Sequence, residues 1–176
     1  MESLDPLLET LATLEAKGVS LAQAYHQALI DHLPGYILAE VRGICTERSP
    51  GHFLQLGEAA QKRLIYLTQQ LTQSLCQELR HHLCTGSLDQ LGNLVEPYLQ
   101  ASERQLNQLL ALEQLGPVTL KLFAAELGSP TLRSLRAQWQ VNQSRQAAIR
   151  RQIAQLREKN QVAAAQARWD ELVTSG

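Results

Sequence analysis

Apolar residues recur along this chain at three- and four-residue steps almost throughout, the period of helix rather than strand. Leu7, Leu8, Leu11 and Leu14 form the first stripe. Asp5 followed by Pro6 supplies an N-cap with proline at the first helical position, where a missing N–H costs nothing. Lys17-Gly18 predicts the end of that helix. Ser20-Leu-Ala-Gln23 reads as a capping box opening a second one, with Tyr25, Leu29 and Leu33 inward until Pro34-Gly35. A third runs from Tyr36 to about Glu47, with Ile37, Val41 and Ile44 on one side. Arg48 to Phe53 is a predicted loop.

From about Leu56 to Cys84 the pattern is uninterrupted, carried by Leu64, Leu67, Leu71, Leu75, Leu79 and Leu83. Thr85-Gly86 predicts its stop, and Ser87-Leu-Asp-Gln90 a second capping box. Pro97 predicts a fresh start or a kink. Leu99, Leu106, Leu109, Leu110 and Leu115 extend the pattern to Gly116-Pro117, and a short helix from Val118 to Leu127 ends at Gly128-Ser-Pro130. No period-two run of β-branched residues predicts a strand.

The last segment differs. From Thr131 to about Thr174 there is no Gly or Pro, so one helix of roughly 60 Å is predicted at about 1.5 Å per residue. Alternating three- and four-residue steps select Leu132, Leu135, Trp139, Asn142, Gln146, Ile149, Ile153, Leu156, Asn160, Ala163 and Ala167. This is a heptad seam of coiled-coil type, and its amides at 142, 146 and 160 would cost stability while fixing register. Two arrangements satisfy it: an extended arm that docks on a partner, or a helix lying on its own body. Near the end, Trp169, Leu172 and Val173 make one small apolar face suited to anchoring in a groove.

Charge sharpens the division. The net charge is -1 over 176 residues, yet residues 1–128 carry 8 Lys/Arg against 14 Asp/Glu and residues 129–176 carry 8 against 3. The expected organisation is an acidic multi-helix bundle, 1–128, followed by a long basic Gln/Arg-rich helix, 129–176. The fold class is all-α. The three cysteines form no CxxC pair, the N-terminus has no basic segment followed by an apolar run, and no stretch has the length of a membrane span. A reduced, cytoplasmic location is expected, with no transmembrane segment.

Candidate chemistry is sparse. His81, His82 and Cys84, near Cys76, are the densest potential metal ligands; His81 and Cys84 share a helix face but need further ligands from elsewhere. The bland alternative makes the cysteines buried fillers and the histidines a polar helix end. There is no paired-carboxylate site and no phosphate-binding Gly-rich loop, so neither a catalytic residue nor a cofactor is expected. Residues 120–136 have the outline of a helix-turn-helix: small Ala124 lies four before Gly128, and Arg133 and Arg136 follow. The turn is short, however, and Ser134 stands where an apolar residue belongs. With Arg150 and Arg151 these arginines form the candidate nucleic-acid surface.

The leading expectation is therefore a non-enzymatic interaction or adaptor protein. It would bind protein partners, or itself as a homo-oligomer, through Leu132, Leu135, Trp139, Ile149, Ile153, Leu156, Trp169 and Leu172. A nucleic-acid-associated regulator is the alternative, and a metal- or cofactor-binding bundle the third reading.

Overall fold

A computed structural model describes residues 1–82 and 87–176. The fold is all-α, with no strand among the described residues. It comprises α1 (Asp5–Gly43), a turn of π-helix (Ile44–Arg48), α2 (Pro50–Gln55), α3 (Glu58–His82), α4 (Leu91–Leu112), α5 (Leu122–Leu127) and α6 (Pro130–Thr174). The expected long C-terminal helix is present and 45 residues long.

The chain divides into two compact units, residues 22–136 and residues 1–21 with 137–176. The first twenty-one residues thus fall in one unit with most of the C-terminal helix. Leu4, Leu7, Leu11, Leu14, Gly18 and Leu21 repeat at heptad spacing and are all buried or half-buried. That seam has the same periodicity as the one on α6.

Three helices expected before residue 48 are instead one, α1, which passes through both Gly18 and Pro34. Tertiary contacts override local propensity at each. The Pro34 ring removes the N–H that would bond the Ile30 carbonyl. The Cys76 thiol of α3 donates to that carbonyl at 3.6 Å, both groups being buried. Gly18 is discussed with the site. The predicted loop 48–53 shrinks to Ser49, with Pro50 opening α2. The helix expected from 56 breaks at Leu56, whose backbone is extended, before α3. The stop expected at residues 85–86 lies outside the described residues. Pro97 sits inside α4 without ending it.

The core of the 22–136 unit is aliphatic: Leu29, Leu33, Ile37, Leu79, Leu91, Leu99, Leu106, Leu110 and Leu120 are all essentially inaccessible. Residues 118–121, predicted helical, lie outside any helix, and the backbone of Lys121 is extended. Their polar backbone is satisfied by side chains of α4. Asn107 accepts from the Val118 N–H at 2.8 Å and donates to its carbonyl at 3.2 Å. Glu103 accepts from Leu120 N–H at 2.9 Å and Glu96 from Leu122 N–H at 3.0 Å. The N–H of Lys121 reaches the Tyr36 hydroxyl at 3.2 Å. Alternate N–H groups thus point at α4 while Val118, Leu120 and Leu122 are buried. Period two brings backbone donors and apolar side chains into the core together.

Candidate functional site

In the smaller unit, α1 and α6 pair antiparallel. Asn142 donates to the Leu14 carbonyl at 3.0 Å, and Asn160 exchanges two hydrogen bonds with the backbone of Glu2, at 3.0 and 3.3 Å. Gln146 donates to Oδ1 of Asn142 at 2.6 Å and to the Leu14 carbonyl at 3.3 Å. All three amides expected to interrupt the seam therefore bond across or along it. Asn142 and Gln146 are buried. Their approach to the α1 backbone needs a residue without a side chain, since a Cβ at Gly18 would stand 2.8 Å from Asn142 Oδ1 and 3.0 Å from Gln146 Nε2. Arg150 with Glu15, at 3.1 Å, and Lys159 with Glu2, at 2.7 Å, flank the pair as exposed ion pairs.

The predicted partner-binding residues fall into two groups. Leu132, Trp139 and Ile153 are buried, and Leu135, Ile149 and Leu156 half-buried, all within this chain. Trp169 and Leu172 are exposed, at 70% and 54%, as are Val162 and Val173. Beyond Asn160 every residue of α6 is exposed.

Those exposed residues belong to a second heptad row. Steps of four and three from Ala137 pass through Val141, Ser144, Ala148, Arg151, Gln155, Glu158, Val162, Ala165, Trp169 and Leu172. At about 100° per residue this row lies roughly 160° around α6 from the row paired with α1. Every member is exposed except half-buried Ala148. One helix thus carries two seams, one covered and one open. Where the second row starts, a groove of about 330 Å³ is lined by Leu14, Ala137, Val141 and Asn142 together with Lys17 and Arg145.

Of the candidate phosphate-binding arginines, Arg133 and Arg151 are exposed. Arg136 is held by Glu126 and donates to the Tyr25 hydroxyl at 3.4 Å, its guanidinium 5.2 Å from the ring centroid. Arg150 bonds Glu15 and Gln146. His81 and His82 are exposed, and His82 stacks on Tyr98 with centroids 5.8 Å apart. Cys84 lies outside the described residues. Among the described residues no group of three or more His, Cys, Asp and Glu has an arrangement that would hold a metal. Burial pushes the Cys45 and Cys76 thiols up.

Pattern alone does not single out Gly18 and the Leu4–Leu21 row, because Lys17-Gly18 reads as a helix terminator. Continuing the 4-7-11-14 spacing through 18 to 21 is the signal that finds them. No helix among the described residues is long and apolar enough to cross a membrane. No family model, curated protein or solved structure matches this chain.

Proposed function

We propose that this chain is a helix-based interaction protein rather than an enzyme, and that it binds a protein partner through the open seam of α6, anchored by Trp169 and Leu172. The carrying observation is the pair of seams: the row from Leu132 to Leu156 is covered within the chain, whereas Val162, Trp169, Leu172 and Val173 remain exposed on a helix that continues past its pairing with α1. An exposed aromatic beside aliphatic residues at helical spacing is the form of anchor that a partner groove takes up. The interior polar groups support a binding role, since Glu96, Glu103, Asn107, Asn142 and Gln146 all hold backbone.

The test is affinity capture with the full chain and with the Trp169→Ala/Leu172→Ala double variant. A partner retained by the first and lost by the second supports the reading. Identical captured sets overturn it, as does an empty capture from a chain that is also monomeric.

A further inference from the structure

We infer that the open seam of α6 pairs with the same seam of a second copy of this chain, antiparallel and about a two-fold axis near Gln155. The inference rests on the reading of that seam as a binding surface and adds what occupies it. Self-complementarity is legible residue by residue. With two α6 helices antiparallel and Trp169 of one level with Val141 of the other, Gln155 meets its own counterpart. Val162 then falls level with Ala148, while Ala165 lies one residue, about 1.5 Å, from the level of Ser144, and Glu158 the same from that of Arg151. Large residues at one end of the row face small ones at the other, so the two chains interdigitate rather than collide. Because the operation is a two-fold, each match occurs twice.

Charge favours the same alignment. Arg151 and Glu158 are both exposed and neither takes part in an ion pair among the described residues. Seven residues apart, they stand roughly 10 Å from each other along one helix, too far to pair within it. Across the two-fold each meets its opposite. Asp170, next to the anchor, accompanies the indole toward the groove whose walls include Lys17 and Arg145; none of the three takes part in an ion pair among the described residues. That groove, at about 330 Å³, is floored by Leu14, Ala137 and Val141 and takes the Trp169 ring of the second copy. A parallel arrangement would set Arg151 against Arg151 and Glu158 against Glu158. Like charges at a seam disfavour that choice.

The row spans residues 137–172, about 50 Å of helix, so the contact is long and narrow. The Arg–Glu pairs set its direction and register, and the ends supply the apolar burial.

The experiment is sedimentation equilibrium on the full chain over a concentration series. The expected mass is twice the 19.6 kDa of one chain. Arg151→Glu, which places like charges at both crossings, weakens association by about tenfold or more. The double variant Arg151→Glu/Glu158→Arg restores it. Both positions are solvent-exposed, so helicity by circular dichroism stays unchanged and confirms that folding is not what is read. A dimer indifferent to Arg151→Glu, or one that the double variant fails to restore, overturns the inference. So does a monomer at every concentration up to about 100 µM. In that last case a Trp169-dependent partner in the capture experiment leaves the interaction reading standing while the self-pairing falls.

Discussion

A Cβ on Gly18 would lie 2.8 Å from Oδ1 of Asn142, so any larger residue there obliges the amides packed against α1 to move. The amides it accommodates are buried and bonded to the Leu14 carbonyl. Gly18→Ala would gain about 1 kcal/mol of helix propensity. It would also displace Asn142 and Gln146, whose lost hydrogen bonds and buried polar atoms cost about 1–3 kcal/mol each. The loss wins, and a net destabilisation of about 1–2 kcal/mol is expected from the urea midpoint. A variant more stable than the parent refutes this packing.

The segment 118–121 depends on α4 side chains. Asn107→Ala removes both an acceptor for the Val118 N–H and a donor to its carbonyl, and about 2 kcal/mol of stability goes with them. Amide exchange is the sharper readout. Val118 exchanges faster in Asn107→Ala and Leu120 faster in Glu103→Ala, each ahead of α3 and α6. Uniform acceleration across the chain would mean that the two side chains do not hold this segment specifically.

Arg136 and Glu126 form a largely desolvated pair over Tyr25, their side chains 27% and 12% exposed. Glu126→Gln leaves the guanidinium without its counter-charge and costs about 2 kcal/mol, reduced from the deeper-burial range because Arg136 retains some solvent. Adding Arg136→Met to that variant recovers much of the loss. A thermal-melt double-mutant cycle with no coupling would contradict the assignment.

Much of the helical architecture could be read in the pattern, and the exceptions share a cause. The length of α6, its seam and its bonding amides follow from periodicity, which is local. The continuity of α1 does not, because Gly18 and Pro34 carry strong stop signals that only distant groups offset: the amides of residues 142 and 146, and the Cys76 thiol at the Ile30 carbonyl. The non-helical stretch before α5 was hidden for a similar reason. Val118, Leu120 and Leu122 read as a fragment of helix until Glu96, Glu103 and Asn107 are seen to take their backbone donors. For the candidate site, Trp169 and Leu172 were identifiable as an apolar face. The row that continues from them through Glu158 and Arg151 was not, since its centre is polar and its meaning depends on which face α1 already covers.

His26 makes the 22–136 unit acid-sensitive. Its ring is buried, Nε2 has no hydrogen-bond partner among the described residues, and burial holds the imidazole below the usual histidine range. The unfolded chain therefore takes up this proton first as pH falls. The stability contributed by the neutral ring is fully present above about pH 6.5 and is lost as pH drops through the lower folded-state value. Urea midpoints measured from pH 7.5 to 5 should decline in the parent and decline less in His26→Leu. Parallel profiles would remove His26 as the cause.

The open seam is tested most directly by its own tryptophan. Trp139 is buried while Trp169 is 70% exposed, so iodide quenches the emission of the two rings very unequally. If α6 uses its second row to bind another copy, the iodide-accessible fraction falls as protein concentration rises, and Trp169→Phe abolishes that change. An accessible fraction that stays constant from dilute to concentrated solution would contradict pairing through this face.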